Sequence, residues 1–90
     1  MKIVKMENRA WKGTRLVSEG IKEGSVEYCY EIGFHHPLKK FYLGEDKTYL
    51  DEKNATYGKN ILYSENPVGL IREIEKRRKV KVVIKDKIIK

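Results

Sequence analysis

Cysteine is almost absent from this chain of 90 residues, in which Cys29 stands alone. One cysteine cannot form an internal disulfide bond, and it cannot supply a metal site made of several thiolates. This composition fits a reducing compartment, and we expect a protein located in the cytoplasm.

Long apolar runs are also missing. No stretch approaches the roughly 18 consecutive apolar residues that a membrane-spanning helix requires. The first residues, MKIVKMENRAWKG, include charges that interrupt any apolar segment of a signal peptide. We therefore expect a soluble, intracellular protein with no membrane partner.

The chain has no internal repeat and no linker rich in proline or serine. A chain of this length buries only a little more than about 60% of its extended surface, which allows one core. Apolar residues make up 40% of the sequence and are spread along it, as is typical of a folded chain. We expect residues 1–90 to form a single domain.

Signatures of catalysis are absent as well. There is no phosphate-binding loop pattern, no GxSxG and no HExxH spacing. A nuclease site could be assembled from His35 or His36 as the base and Glu31 as its partner. Lys39 or Lys40 would then stabilise the phosphorane. Two histidines among many carboxylates permit such a set in almost any chain, so we expect no enzymatic activity and no cofactor.

The histidines do not predict a metal site either. Adjacent residues of an extended chain point to opposite faces, so His35 and His36 cannot share one ion without a sharp turn. Glu27, Cys29 and Glu31 lie closer together, but one Cys between two Glu is not a recognised set of metal ligands. We expect no metal ion.

What the chain does contain is an excess of basic residues confined to its two ends, within a formal charge of +7. Residues 1–15 carry five basic and one acidic side chain, and residues 76–90 carry eight basic and one acidic. Residues 16–75 carry seven basic and eleven acidic side chains. Charges further apart than about 8 Å are screened at physiological salt, so one strongly basic face requires that the two ends meet.

The most regular pattern predicts a strand over residues 26–34. In VEYCYEIGF the apolar side chains occupy every second position, which indicates one apolar and one solvated face. Pro37 lacks a backbone donor, so this strand should end by about residue 36. Shorter strands are predicted at residues 2–6 and 15–18.

The middle of the chain predicts a hairpin. KFYL and KTYL, at residues 40–43 and 47–50, flank Gly44-Glu45-Asp46, which suits a three-residue hairpin loop. Residues 19–25 contain two glycines among charged side chains and indicate a turn. NILYS, at residues 60–64, should add a further strand.

One helix is predicted over about residues 67–79. Asn66 is a good N-cap, and Pro67 suits the first helical position, where its missing N–H costs nothing. Leu70, Ile71 and Ile74 fall on one stripe, which should dock on the sheet.

After the helix, KVKVVIKDKIIK alternates apolar and basic residues and predicts a final strand. The expected fold class is α+β: a mostly antiparallel sheet of about five to six short strands, one helix near the C-terminus and a final strand. A β-α-β crossover would make the strands on either side of the helix parallel neighbours, or would separate them by one strand.

The stretch EKRRKVKVVIKDKIIK allows two interpretations. A helix end stabilised by cations and an edge strand protected by lysines would explain each basic residue singly. A surface that contacts phosphates would explain why so many occur together. The candidate contacts are Lys76, Arg77, Arg78, Lys79, Lys81 and Lys85.

The N-terminal segment NRAWKGTR adds a lone tryptophan among cations. A nucleic-acid base could stack on Trp11 while Arg9 and Lys12 hold the backbone. Trp11 could equally be a core residue, because tryptophan is usually highly buried.

The sequence therefore predicts a small, basic, non-enzymatic protein that binds nucleic acid with weak sequence preference. No helix-turn-helix, zinc finger or RNP motif is present, and the pattern does not distinguish DNA from RNA. The alternative is a protein-binding regulator or inhibitor that acts through a strand edge, or through a patch of Tyr42, Tyr49 and Tyr57, on an acidic partner.

Overall fold

The computed structural model describes residues 1–8, 15–53 and 55–85, without the side chains of residues 59 and 60. These residues form seven strands, one α-helix and one short 3-10 helix at Leu50–Glu52. The strands and the α-helix, in chain order, are β1 (Lys2–Asn8), β2 (Leu16–Ser18), β3 (Ile21–Glu23), β4 (Val26–His35), β5 (Lys40–Tyr49), β6 (Ala55–Ser64), α1 (Pro67–Arg78) and β7 (Val80–Ile84).

The strands form one curled sheet in the order β6-β5-β4-β2-β1-β7, and β3 pairs with β4 beside β2. Every pairing is antiparallel except that of β1 with β7. The α+β class, the mostly antiparallel sheet, the single helix and the final strand are confirmed. The described residues contain seven strands, which is more than the five to six predicted.

The predicted hairpin at Gly44-Glu45-Asp46 is wrong, because residues 40–49 form one continuous strand. Gly44, Glu45 and Asp46 do not form a turn. Glu45 lies opposite Tyr30 of β4 and is only 4% exposed, so its side chain belongs to the interior. The pairing of β5 with β6 shifts register between Leu43 and Glu45, and the extra residue lies in β6.

Two further segments are more ordered than predicted. The expected turn at residues 19–25 contains β3, and the strand expected at residues 60–64 extends from Ala55 to Ser64. β2 and β3 both pair with β4, and this pairing is interrupted between them. At the interruption the buried hydroxyl of Ser18 replaces a backbone acceptor. Its Oγ accepts a hydrogen bond from the Tyr30 N–H at 2.9 Å, which satisfies a buried donor at the break.

The helix begins and ends where the sequence indicates. Asn66 Oδ1 accepts the Val68 N–H at 2.8 Å, and Pro67 occupies the first turn. Lys79 adopts the left-handed conformation (φ 54°) and leads directly into β7. The predicted apolar stripe is confirmed, with Leu70 and Ile74 buried.

The helix connects opposite edges of the sheet, since β6 precedes it and β7 follows it. The expectation that these two strands are neighbours, or separated by one strand, is therefore wrong. Four strands lie between them, and β7 pairs in parallel with β1 instead. The helix packs on the side of the sheet that carries the core. The buried apolar residues of this core are Val4, Met6, Ile21, Tyr30, Ile32, Leu43, Leu70, Ile74 and Val80.

Within the described residues, α1 is the longest helix, and with 12 residues it is too short and too polar to cross a membrane.

Gly33 provides a test of how tightly the outer face of the sheet is packed. A Cβ at this position would lie 2.7 Å from the ring of Tyr42, whose hydroxyl is held by Glu31. We expect Gly33→Ala to lower the free energy of unfolding by about 1–2 kcal/mol in urea denaturation, because the ring must move.

Gly44→Ala is the matched control on the neighbouring strand. A Cβ there would make only an ordinary contact, 3.7 Å from Ile61 Cδ1. We expect this variant to be within about 0.5 kcal/mol of the wild type. Equal destabilisation by the two substitutions would show that loss of glycine, and not the Tyr42 ring, sets the cost.

Candidate functional site

The basic cluster after residue 75 divides into side chains that face the sheet and side chains that face solvent. Arg77 and Arg78 belong to the first group. Arg77 Nη1 lies 3.4 Å from Glu45 Oε2, and its Nε lies 2.8 Å from Glu73 Oε2. The hydrogen bond to Glu73, with the charge of Glu45, raises the pKa of Arg77 although partial burial opposes its charged form. Arg77 therefore stays charged and holds the last turn of α1 against β5.

Glu45 is the buried carboxylate at the centre of this contact. Tyr30 Oη donates to Glu45 Oε2 at 2.5 Å, so the carboxylate is held from the sheet by Tyr30 and from the helix by Arg77. Burial raises the pKa of Tyr30 well above its ordinary value, and the hydrogen bond to Glu45 raises it further. The phenol is therefore a permanent donor at physiological pH.

Arg78 makes a second connection between helix and sheet. Its Nη1 lies 2.7 Å from Glu23 Oε1 on β3, and its guanidinium carbon lies 3.8 Å from the centre of the Tyr28 ring. Stacking on an aromatic face and pairing with a carboxylate are the contacts for which arginine is best suited. The side chain of Arg78 is only 16% exposed, so little of it remains for a ligand.

The lysines of the cluster behave differently from the arginines. Lys76, Lys79 and Lys81 are exposed, and none forms an ion pair with a carboxylate of the described residues. Lys85 lies 3.9 Å from Glu7, at the outer limit of an ion pair. The charge available to a ligand is therefore carried by lysine.

The parallel pairing of β1 with β7 brings the described basic residues from both ends of the chain together. Lys2 lies opposite Val80, Lys5 lies opposite Val83, and Lys81 lies opposite Ile3. Lys2 and Lys5 are also exposed and without an ion pair in the described chain. We call the resulting group the basic edge; its members are Lys2, Lys5, Lys76, Lys79 and Lys81.

A concave surface lies within the basic edge, between the end of α1 and the start of β7. It has a volume of about 380 Å³, and its lining includes Lys76 and Lys81. Glu75 also borders it, but its Oε2 accepts the Val82 N–H at 2.9 Å. In the described residues Glu75 forms no ion pair with either lysine, although its charge remains at this surface.

The acidic residues of the middle strands lie away from the basic edge. Glu31 on β4 accepts a hydrogen bond from Tyr42 Oη and lies 3.5 Å from Arg15. Asp46 and Glu31 border a smaller concave surface of about 240 Å³ on the β4–β5 side. This second concave surface is therefore bordered by carboxylates, whereas the one at the basic edge is bordered by two lysines and Glu75.

The other proposed nucleic-acid contacts lie outside the described residues. Arg9, Trp11 and Lys12 fall between residues 8 and 15, so stacking on Trp11 stays a prediction. Of the C-terminal set, Lys85 is described and exposed. Its backbone N–H donates to Met6 C=O at 2.7 Å, which continues the pairing of β7 with β1.

The tyrosine patch proposed from the sequence does not form as one surface. The rings of Tyr49 and Tyr57 lie 5.4 Å apart on the side of the sheet that carries Tyr28. Tyr42 lies on the opposite side, where it covers Gly33 and donates to Glu31. An even spacing along a strand keeps side chains on one face, and residues 42 and 49 are an odd number apart.

The histidines make local contacts. His35 Nδ1 accepts the Leu38 N–H at 3.2 Å, and its ring lies edge-on to Tyr63. The ring of His36 lies 5.1 Å from that of Phe34. In the described part of the chain, no three His, Cys, Asp or Glu side chains are placed to hold a metal ion.

The sequence pointed to the basic cluster but did not separate its members. Lys2 and Lys5 were not predicted as contacts, because only the pairing of β1 with β7 brings them to it. The available signal was the alternation of KIVKM, which places Lys2 on the face of Val4 and Lys5 on the other. Comparison of the chain with protein-family models, curated proteins and solved structures gave no match in any of the three.

The structural role of Arg77 can be separated from ligand binding by substitution. We expect Arg77→Met to lower the free energy of unfolding by about 1–3 kcal/mol, because Glu45 keeps its burial and loses a cationic partner. Arg72→Met is the matched control on the same helix, since Arg72 is exposed, and it should change stability by less than about 0.5 kcal/mol. Urea denaturation checks both variants, and equal stability of the two would contradict the pairing.

The raised pKa of Tyr30 predicts a pH dependence. In the unfolded chain this phenol ionises near pH 10, whereas in the folded protein it remains protonated, so its contribution is complete below pH ~10 and declines above it. We expect Tyr30→Phe to destabilise by about 1–3 kcal/mol at pH ~8, and by progressively less as the pH rises above ~10. Urea denaturation of both proteins across this range is the measurement. A difference that stays constant would contradict the shift.

Proposed function

We propose that this chain is a small, non-enzymatic protein that binds nucleic acid through the phosphate backbone. The observation that carries the proposal is the basic edge, where five exposed lysines from both ends of the chain surround one parallel strand pair and the end of α1. Lysine is a compact point charge with three donors, which suits contacts with phosphates.

The mechanism is electrostatic. Lysines that neutralise phosphates release the counterions condensed on the polyanion, and this release supplies affinity without reading sequence. Sequence is read by side chains that reach base edges, usually from a helix or a strand in a groove. The last turn of α1 directs Arg77 and Arg78 to carboxylates of the same chain, so neither is offered to bases. Weak sequence preference follows.

Two further parts of the proposal concern partners and location. Arg9, Trp11 and Lys12 precede β2, and stacking on Trp11 would add affinity for single strands. Lys85 continues the line of Lys81 along the outer face of β7 and adds a weaker contact, since it also pairs with Glu7. We also propose a cytoplasmic location, which the single cysteine supports.

Fluorescence anisotropy with labelled single- and double-stranded oligonucleotides tests the proposal. The test variant is Lys76→Gln, Lys79→Gln and Lys81→Gln, which removes three charges from the basic edge and keeps most of each stem. We expect wild-type binding to weaken steeply between ~50 and ~200 mM salt, and the variant to bind at least ~10-fold more weakly at ~50 mM. The plot of log K against log salt should be shallower for the variant, with the magnitude of its slope reduced by about 3.

The matched control is Lys39→Gln, Lys40→Gln and Lys53→Gln, which removes the same charge from the first residue of β5 and from the connections on either side of it. All six lysines are exposed, and Lys39 and Lys53 share the left-handed conformation of Lys79, so the backbone cost is comparable. This control should bind within about threefold of the wild type.

Three results would overturn the proposal. The first is an absence of binding at ~50 mM salt by a folded wild-type protein. The second is equal weakening in both triple variants, which would indicate attraction by net charge alone. The third is competition by polyglutamate as effective as that by oligonucleotide, which would assign the basic edge to an acidic protein instead.

A further inference from the structure

The two edges of the sheet differ in how far they are protected against pairing with another strand. β7 is short, at five residues, and carries Lys81 on its outer face. The Lys85 N–H donates to Met6 of β1, so the N–H of Val82, an odd number of residues away, points away from β1. Glu75 Oε2 accepts that N–H, so this donor is not available to a strand from another chain. Charged side chains and a covered edge are the usual protections.

β6 is less protected in the residues that the structure describes, although its pairing with β5 shifts register between Leu43 and Glu45. It is ten residues long, and β5 is its only neighbouring strand there. Its sequence, ATYGKNILYS, contains one charged residue. Alternate backbone N–H and C=O groups of an edge strand point outward and are open to another strand.

Apolar side chains are exposed on both faces of β6. Ile61 and Tyr63, on the outer face of the sheet, are 53% and 42% exposed, and Tyr57 and Leu62, on the core side, are 49% and 38% exposed. A strand added along β6 would cover apolar surface above and below the new pairing. This distribution is typical of an edge that pairs, since side chains alternate across a strand.

We propose that β6 pairs in antiparallel orientation with β6 of a second copy of this chain, so that two sheets join into one. Antiparallel pairing of identical strands about a two-fold axis is self-complementary. If one residue of the first copy contacts a second residue of the partner copy, the reverse contact also forms. The strand supplies both the hydrogen-bonding groups and the apolar side chains that such an interface requires.

Charge distribution favours a second copy at this edge and disfavours one at the other. Each copy has a formal charge of +7, so association is opposed wherever the basic edges approach one another. The basic edge lies at β1 and β7, whereas β6 is the opposite edge, with four strands between β6 and β7. Pairing through β6 places the two basic edges at the far ends of the dimer, beyond the screening length of about 8 Å.

The size of the contact sets the expected strength. We expect a pair of ten-residue strands with four apolar side chains on each copy to bury less than the ~1,200–2,000 Å² of a standard stable interface. We therefore expect reversible dimerisation, with a dissociation constant in the micromolar range.

Sedimentation equilibrium at ~5 to ~500 μM, in ~150 mM salt, tests the proposal. The wild-type mass should rise with concentration from 10.6 kDa towards twice that value. Ile61→Lys places a charge on the unprotected edge and should keep the mass near 10.6 kDa throughout. Val83→Lys, on β7, adds the same charge to an exposed apolar position of the other edge and should dimerise like the wild type.

Hydrogen exchange of the wild-type protein provides a readout that does not depend on any variant folding. Those amides of β6 that point away from β5 should exchange more slowly at ~500 than at ~5 μM, while amides of β7 should not change. A wild type that stays at 10.6 kDa at every concentration would overturn the proposal. Dissociation by Val83→Lys but not by a folded Ile61→Lys, or concentration-dependent protection of β7 in place of β6, would also overturn it.

Discussion

The fold depends on one buried carboxylate. Glu45 lies in the middle of β5 with 4% of its surface exposed, and an isolated charge at such a position would cost several kcal/mol. Tyr30 and Arg77 offset part of that cost, one from the neighbouring strand and one from the last turn of α1. Docking of the helix across the curled sheet brings Arg77 to this carboxylate and places the C-terminal end of α1 at β5. Apolar packing of Leu70 and Ile74 supplies the driving force for docking, and the ionic contact fixes its position.

This constraint explains why the basic cluster is not uniform. Arginine forms a planar fork that pairs with carboxylates and stacks on aromatic rings, and both arginines of the cluster are used in this way inside the chain. Lysine is strongly hydrated and keeps its ammonium in water. The same run of sequence thus holds the helix to the sheet with Arg77 and Arg78, and presents Lys76, Lys79 and Lys81 to solvent.

The helix also decides what each edge of the sheet can do. Because α1 carries the chain from β6 to the far side of the sheet, it delivers β7 and its lysines to β1, and Glu75 reaches back to cover the backbone of Val82. The opposite edge receives no such cover in the described residues. One edge therefore carries lysines and has the Val82 N–H covered, and the other exposes apolar side chains. We therefore propose opposite edges of the sheet for the polyanion and for the second copy.

The sequence by itself determined the features that depend on neighbours along the chain. The alternation of VEYCYEIGF, the Asn66-Pro67 start of the helix, its apolar stripe and the final strand all follow from local periodicity and capping, and with them the α+β class. Only the tertiary structure decided that Gly44-Glu45-Asp46 stays within a strand, that Arg77 and Arg78 face inward, and that Lys2 and Lys5 join the lysines near the other end of the chain. Arg77 meets Glu45 across 32 residues, and Arg78 meets Glu23 across 55. Such contacts form only when distant segments pack together, because the burial that favours them over hydration does not exist in the isolated segments.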